Sequence, residues 1–323
     1  MKFVGMDLGW VSGPSGLCCL ALTGDELILE QLDRKDSLEE VLAWLDKTIE
    51  PEEPAIVAVD APTIIPNETG MRLPDKLTHK YFGKYHAGCY PANLGRPFAS
   101  RLVAFGKAIE GRGFNHAPTM APRQTGRYQI EVFPHPAMIQ LFGLSRILKY
   151  KKGRLAEKRK GLGELRDRIL KHLSSHTPSL KLESLPEVPT GGKALKELED
   201  KLDSIVCAYV GAYWWYWGES RGAVLGDRAS GYIVVPCPPD APEPPMSRFL
   251  LKGDTMQVKL QEQLSSADAQ AILERLPKRI QTALIDRASE IDYPIESVVE
   301  MAIASFLDSE ALGFADCKPG RGR

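Results

Sequence analysis

The sequence predicts an α/β protein with a mixed sheet flanked by helices and a small helical appendage at its C-terminal end. Three observations support this prediction. Short apolar segments end at glycine-containing turns, as core strands do. Longer segments repeat apolar residues at helical spacing. Six of the ten residues from Pro236 to Pro245 are proline, which is typical of an extended spacer between two folded units.

The first sixty residues contain four strand-like segments and one helix in a mixed order. The predicted strands are Lys2–Met6, Gly16–Leu22, Glu26–Leu32 and Ala55–Val59, and the helix is Ser37–Ile49. Glycine-containing turns separate the first three strands, which indicates a meander. Ser37 is the predicted N-cap of the helix, because its hydroxyl can accept a hydrogen bond from the first turn. A meander followed by a helix and a fourth strand predicts a mixed sheet instead of a regular βαβ alternation.

Beyond residue 60 the chain begins with a long irregular segment. Residues Ala61–Pro97 are rich in Gly, Pro, His and Tyr, which predicts a loop that faces substrate. Helical spacing of apolar residues then predicts two long helices, and apolar runs predict further strands. These later elements are a helix over 98–109, a strand over Tyr128–Pro134, a short helix from Pro136, a helix over Lys193–Trp217 and a strand over Gly231–Pro236.

Composition and charge place the chain among ordinary globular proteins. Its 323 residues are 43% hydrophobic and its formal net charge is -1, so a nucleic-acid partner would have to meet a local basic patch. The six cysteines include no CxxC spacing, which favours reduced thiols, a cytoplasmic location and the absence of a zinc site. The most apolar segment, Ile205–Trp217, is shorter than the roughly 20 residues of a membrane span, so we expect no membrane association.

Two acidic residues follow apolar strands at corresponding places. Asp7 ends the first predicted strand in MDLG, and Asp60 ends the fourth in VAVDAP. If these strands are parallel neighbours, both carboxylates emerge at one edge of the sheet, where open α/β sheets bind ligands. Close carboxylates repel each other unless a cation neutralises them, and oxygen ligands favour a hard ion, Mg²⁺ or Mn²⁺. Each acid could instead be a turn former.

Three further acids could join this pair. Asp200 and Asp203 lie three residues apart on one side of the long helix, with Asp203 at the border of the apolar arc and Asp200 further out. Glu131 lies in the predicted strand QIEVFP. The alternative roles are structural. Acids near a helix N-terminus are favoured by the helix dipole, and Glu131 could pair with Arg127 or His135.

Positive charge is concentrated between Gly143 and His172, where there are eleven Lys or Arg residues and three Asp or Glu residues. This excess, on a nearly neutral chain, predicts contact with a nucleic-acid backbone that weakens as the salt concentration rises. The alternatives are a solvated helix face for the run and structural ion pairs for two arginines of the long loop. The candidate contact residues are Lys149, Lys151, Lys152, Arg154 and Lys158 in the run, with Arg72 and Arg96 in the loop.

The segments around the acids resemble a known family as an ordered set. GMDLGW, VDAPTIIP, YPAN, EVFPHPA, LKYK, DKLDSIVCAYVGA and GYIVVP resemble the family called domain of unknown function 429, in order over residues 1 to about 236. Members are predicted nucleases of the ribonuclease H-like fold, in its Holliday-junction-resolvase variety. The resemblance implies a ribonuclease H-like sheet and hydrolysis by two divalent ions about 3.5 to 4 Å apart. Asp7 would then bridge the ions, Asp60 and Asp203 would each bind one, and Glu131 or Asp200 would complete the shell.

The domain organisation predicted from the proline-rich stretch has three parts. A ribonuclease H-like domain occupies residues 1–236, a linker occupies 237–253, and a separate module occupies 254–323. A module of this size can hardly bury a hydrophobic core by itself. We therefore expect a homodimer formed through it.

The module itself has a helical pattern. Amphipathic helices are predicted within Arg275–Leu307, with a break at Asp292–Pro294, and a short strand is predicted at Ile272–Pro277 or Met256–Leu260. This pattern resembles a ribbon-helix-helix module, in which paired strands read DNA. Its DYP turn departs from the usual glycine-containing turn, and a docking hairpin without DNA contact is the alternative.

A divalent-metal-dependent nuclease is the function that these features predict best. The first alternative keeps the fold and makes the acids structural, which gives a non-catalytic nucleic-acid-binding or regulatory protein. The second is a nucleotide-binding phosphotransferase of the actin and sugar-kinase type, whose first strand also carries an Asp before a glycine turn. That architecture requires two α/β units, and the sequence shows one, so we rank it last.

Overall fold

The computed structural model describes residues 1–241 and 264–290, together with the short pieces 295–296, 298–299 and 302–303. The chain divides into two compact units, Met1–Gly253 and Asp254–Arg323. The first unit carries the predicted sheet and all of the candidate acids.

A seven-stranded mixed sheet forms the centre of the first unit, in the order β5-β6-β4-β1-β2-β3-β7. β1, β2 and β3 form an antiparallel meander, and β4 and β6 lie parallel to β1 on its other side. This arrangement confirms the prediction of a ribonuclease H-like mixed sheet. The strands are β1 Lys2–Asp7, β2 Ser15–Thr23, β3 Glu26–Lys35, β4 Ala55–Asp60, β5 Asn115–His116, β6 Arg127–Glu131 and β7 Ser179–Lys181.

Helices cover both faces of this sheet. On one face, apolar residues of α1 and α3 pack with Val4, Met6 and Val57 in one core cluster. On the other face, α4, α5 and α6 pack with Phe3, Ile56 and Ala58 in a second cluster. The prediction of flanking helices is therefore confirmed. The helices are α1 Leu38–Thr48, α2 Leu73–Phe82, α3 Ala99–Glu110, α4 Pro134–Phe142, α5 Leu155–His172 and α6 Gly192–Trp217.

The predicted N-cap of the first helix is present. The backbone N–H of Glu40 donates to the Ser37 hydroxyl, and the Glu40 carboxylate accepts from the backbone N–H of Ser37. This reciprocal pair satisfies two groups that the first helical turn would leave without partners.

Two features of the first unit differ from the sequence prediction. The segment 61–97 is not a continuous loop, because it contains α2 and a short 3₁₀ turn at Gly83–Tyr85. The start of α2 is set by Asp75, which accepts a hydrogen bond from the backbone N–H of Arg72. The predicted strand at Gly231–Pro236 (β9) does form, but it pairs with an unpredicted strand, Gly222–Asp227 (β8), in a separate hairpin.

A glycine in β1 determines how closely α6 approaches the sheet. A methyl group at Gly5 would collide with the carbonyl oxygen of Ser204 and with the backbone of Ala208. Because Gly5 has no side chain, α6 lies directly on β1. Asp203 precedes Ser204 in α6. The close contact therefore brings Asp203 to the end of β1, the strand that carries Asp7.

The second unit has two described helices, α7 Ser266–Arg275 and α8 Lys278–Glu290. Residues 272–275, one of the two strand candidates, are helical because they complete α7, which the Ser265 side chain caps. The other candidate strand, Met256–Leu260, the break at Asp292–Pro294 and most of the predicted linker lie outside the described residues. None of the described helices has both the length and the apolar character needed to cross a membrane.

Candidate active site

Asp7 and Asp60 face each other at one edge of the central sheet. Asp7 ends β1, Asp60 ends β4, and the parallel register pairs the two residues directly. Asp60 is buried and Asp7 is half-buried. The indole nitrogen of Trp10 donates a 3.0 Å hydrogen bond to the backbone carbonyl of Asp60, which ties the turn after β1 to the end of β4.

Asp203 reaches this edge from α6 and is fully buried. The Tyr150 hydroxyl donates a 2.8 Å hydrogen bond to Asp203 Oδ1. The ammonium of Lys151 lies 2.7 Å from Asp203 Oδ2, and this oxygen accepts no hydrogen bond of good geometry, so the compensation comes through charge. Both oxygens of Asp203 are therefore engaged by the segment that precedes α5.

The position of Lys151 depends on a close contact between that segment and α5. A methyl group at Gly161 would collide with the carbonyl oxygen of Lys149 and approach the Cα atom of Tyr150. The absence of a side chain at Gly161 lets the Lys149–Lys151 segment lie against α5. The Tyr150 side chain is then fully buried, and the Lys151 ammonium faces the acids.

The charge state of the acid pair follows from loss of solvent and from Lys151. Desolvation raises the pKa of Asp7 well above its ordinary value, while Lys151 opposes the rise and Asp203 and Asp60 add to it. Desolvation also raises the pKa of Asp60 to about 7, with Lys151 again the largest opposing influence. Asp7 donates a hydrogen bond that stabilises the Asp60 carboxylate. The pair therefore retains a proton that a divalent ion would displace.

Lys151 is the complementary charge of this group. Burial would lower its pKa, but Asp203, with Tyr150, Asp7 and Asp60, more than offsets burial and raises the pKa well above its ordinary value. The lysine therefore stays cationic while 32% of its side chain remains exposed. The sequence predicts that Lys151 contacts phosphate as part of the basic run. In the structure its ammonium instead faces Asp203.

Asp200 and Glu131 each have a cationic partner of their own. Arg34 donates a 2.9 Å hydrogen bond to Asp200 Oδ2, and Lys196 lies 2.9 Å from Asp200 Oδ1. Arg72 donates hydrogen bonds of 2.8 and 2.7 Å to the two oxygens of Glu131. We therefore do not assign Asp200 or Glu131 as ligands of a metal ion at Asp7 and Asp60.

Arg72, a predicted nucleic-acid contact, lies inside the protein. Its side chain is 2% exposed and also binds Asp75 at 2.8 Å, so two carboxylates take up its guanidinium. Burial raises the pKa of Glu131 to about 7, and Arg72 is the largest influence that opposes this rise. Arg72 therefore holds α2 to the end of β6.

The other predicted basic contacts lie nearer the surface. Arg154 is exposed at the N-cap of α5, and Lys158 is half-buried one turn later. Lys149 and Lys152 take part in interactions within the fold. Arg96 is half-buried over the ring of Tyr90, 5.0 Å from its centroid, and its Nε atom has no hydrogen-bond partner.

The donor set fits a hard divalent ion bound by two carboxylates. Mg²⁺ commonly takes one or two carboxylates together with water and substrate phosphate oxygens, and Asp7 and Asp60 supply such a pair. Among residues 1–241 and the described parts of the second unit, no group of three or more His, Cys, Asp or Glu side chains is arranged to hold a metal ion. Asp203, the third acid here, is instead paired with Lys151.

The candidate site lies within a region that this chain shares with other proteins. The family described as "Protein of unknown function (DUF429)" matches residues 5–229. The chain belongs to this family. The match includes Asp7, Asp60 and Asp203 and ends just before β9. It confirms the family membership that the sequence motifs predict.

The chain is also similar to solved structures. The Thermus thermophilus RuvC structure resembles this chain with a TM-score of 0.32 and 15% sequence identity, over 65% of this chain and 97% of that chain. No curated protein matches this member of the family.

Three further side chains lie in the site region, and the sequence predicts a role only for His135, as a candidate partner of Glu131. Tyr150 lies in the LKYK motif, but a charge pattern cannot show that the tyrosine turns inward to bind Asp203. Arg34 is the last residue but one of β3 and lies far from Asp200 in the chain, so the tertiary structure brings the two residues together. His135 is half-buried near Tyr150, and its Nδ1 atom has no hydrogen-bond partner. Burial, with Lys151 and Lys152, lowers its pKa to about 3.

Proposed function

We propose that this protein is a divalent-metal-dependent phosphodiesterase that acts on nucleic acid. The observation that supports the proposal is the pairing of Asp7 and Asp60 across parallel strands, with Asp203 contributing a third negative charge beside them. Desolvation is the main reason that the pKa of Asp7 and that of Asp60 are raised, and Lys151 only partly offsets this rise. A hard cation is the ligand that would relieve the repulsion.

The residues would act together on a phosphodiester. Asp7 and Asp60 would hold Mg²⁺ or Mn²⁺, which when bound activates water and stabilises the leaving oxygen. Lys151 would hold Asp203 in place and add positive charge beside the phosphate. The family is described as being of unknown function, so the proposal rests on this chain's own residues.

The N-terminal end of α5 is the proposed contact for the nucleic-acid backbone. Arg154 occupies the N-cap position of the helix and Lys158 lies in its first turn, where both add positive charge to the positive end of the helix dipole. This arrangement attracts phosphate. Residues 149–151 closely precede this helix, and the backbone of Lys149 and Tyr150 lies against its Gly161, which supports the proposed contact.

We also propose a homodimer formed through the second unit. Its helix α8 exposes apolar side chains, with Ile280 37% and Ile285 50% accessible. Exposed apolar groups on so small a unit favour association with a second copy. Whether this unit also reads DNA, as the resemblance to a ribbon-helix-helix module implies, is tested by its affinity for duplex DNA.

The second candidate function is nucleic-acid binding without hydrolysis. The observation that favours it is the ion pair of Lys151 with Asp203, which compensates one of the three acids internally. Under this hypothesis Asp203 fixes the fold, and a bound nucleic acid would persist uncut in Mg²⁺ or Mn²⁺.

The decisive experiment is a cleavage assay on single-stranded, duplex and junction oligonucleotides with Mg²⁺ or Mn²⁺. We expect cleavage by the wild type and none by Asp7→Asn. Asp200→Asn is the matched control, because it removes a neighbouring carboxylate that is already paired with Arg34 and Lys196 and should leave cleavage in place. Binding without cleavage by the wild type would favour the second candidate, and equal cleavage by wild type and Asp7→Asn would contradict the assignment of the site.

A further inference from the structure

The acids of the candidate site share their space with one lysine ammonium. Lys151 Nζ lies 2.7 Å from Asp203 Oδ2, and Asp203 is fully buried at the contact of α6 with β1. Lys151 is therefore a cation in direct contact with this group of carboxylates.

The neighbouring cations are already committed to other acids. Arg34 binds Asp200, and Lys196 lies 2.6 Å from Glu199 and 2.9 Å from Asp200. Arg72 binds Glu131 and Asp75. Of these four described cations, Lys151 is the one that forms an ion pair with a member of the group of Asp7, Asp60 and Asp203.

Charge balance limits how many divalent ions this group can take. With all three acids ionised, one divalent ion together with Lys151 neutralises them. A second divalent ion beside the lysine would leave an excess of positive charge in a largely desolvated site, where like charges repel strongly. Both oxygens of Asp203 are already engaged, because Oδ2 faces the lysine ammonium and Oδ1 accepts a hydrogen bond from Tyr150.

We propose that Lys151 takes the place of a second metal ion, so that the centre binds one divalent cation on Asp7 and Asp60 and keeps Asp203 paired with the lysine. This inference rests on the proposed function, since it concerns the same site. It differs from the two-ion arrangement that the family resemblance implies. Lys151 is thereby a positioning residue for Asp203 as well as a fixed positive charge at the centre.

The test counts the ions bound by the full-length protein. Metal-free protein is titrated with Mn²⁺ by calorimetry, and electron paramagnetic resonance detects the spin coupling of two ions that lie close together. The variants are Lys151→Met, which keeps the length of the side chain and removes its charge, and Lys151→Arg, which keeps the charge. The double variant Lys151→Met with Asp203→Asn removes both members of the pair.

We expect one Mn²⁺ per chain in the wild type and in Lys151→Arg, two spin-coupled ions in Lys151→Met, and one ion in the double variant. Two ions in the wild type would overturn the proposal, and so would a single ion in folded Lys151→Met. If Lys151→Met unfolds without metal, Mn²⁺ should restore its tryptophan fluorescence with two ions bound, and failure of that rescue would count against the proposal.

The outcome is separable from that of the proposed function. One ion in the wild type and two in Lys151→Met, without cleavage of any oligonucleotide, would sustain this inference and remove the nuclease hypothesis. No ion in the wild type would overturn both. Cleavage activity does not enter the ion count, so the two results are read independently.

Discussion

Replacement of Asp60 by asparagine tests the electrostatics of the centre in the absence of metal. Asparagine keeps the shape of the side chain and can still accept the hydrogen bond from Asp7, but it carries no charge. The backbone carbonyl that binds Trp10 is unchanged. The substitution therefore removes the free-energy cost of ionising Asp60 inside the folded protein.

The expected size follows from the pKa of Asp60. Folding raises this pKa from 3.8 to about 7, mainly by desolvation, and the difference corresponds to about 4 kcal/mol. The raised pKa means that the folded state binds a proton at Asp60 more tightly than the unfolded state does. The contribution of Asp60 to the free energy of unfolding is therefore greatest below about pH 4 and falls as the pH rises to about 7. Asp60→Asn escapes this loss. In chelator at pH 8 it should gain up to about 4 kcal/mol over the wild type, and the gain should vanish near pH 4.

Urea unfolding followed by tryptophan fluorescence measures this difference. All five tryptophans precede residue 218, so the signal reports on the first unit. Asp200→Asn is the control and should lose stability, because its carboxylate is paired with Arg34 and Lys196. If the wild type were more stable than Asp60→Asn at pH 8 in chelator, or if the difference did not change with pH, the pKa of Asp60 would not be raised by folding.

Four further predictions concern the ion network, the basic helix end, proton release and assembly. Arg72→Met should lower the free energy of unfolding by about 3 to 5 kcal/mol, because it leaves two buried carboxylates without their cation; wild-type stability in urea would contradict this. Arg154→Glu with Lys158→Glu should weaken binding to a labelled oligonucleotide and reduce the salt dependence, whereas the exposed control Lys107→Glu should not; unchanged affinity would remove the proposed interface. Mn²⁺ affinity measured by calorimetry should rise between pH 5 and pH 8, because the raised pKa values of the acid pair mean that protons must leave as the ion binds, and an affinity independent of pH would count against the site. Removal of residues 246–323 should yield a monomer by light scattering, and a persistent dimer would place the interface elsewhere.

The main sheet could be predicted because local signals agreed with the tertiary structure. Strand-like runs ended at glycine turns, and the predicted N-cap Ser37 is present at α1. The positions of Asp7 and Asp60 at the ends of β1 and β4 followed from the same signals. The sequence separation of 53 residues between the two acids did not matter, since parallel strands align their ends.

The remaining differences arise where long-range contacts decide the structure. The segment 61–97 is rich in glycine and proline and predicts a loop, yet α2 forms because Arg72 joins Asp75 to Glu131, which is far away in sequence. β8 has no signal of its own beyond its pairing with β9.

The role of Lys151 also depends on tertiary structure. A run of basic residues predicts a phosphate-binding surface, but it cannot show which lysine turns inward. That choice depends on the contact of Gly161 with the preceding segment and on the buried Tyr150. The hydroxyl of Tyr150 and the ammonium of Lys151 then converge on the same carboxylate.

Metal binding by Asp7 and Asp60 can be tested in crystals of the wild-type protein soaked in Mn²⁺, because anomalous scattering locates the ion without assumptions about activity. We predict one anomalous peak in contact with carboxylate oxygens of Asp7 and Asp60, with Lys151 still paired with Asp203. No peak at saturating Mn²⁺, or a peak remote from these two acids, would show that Asp7 and Asp60 do not form a metal site.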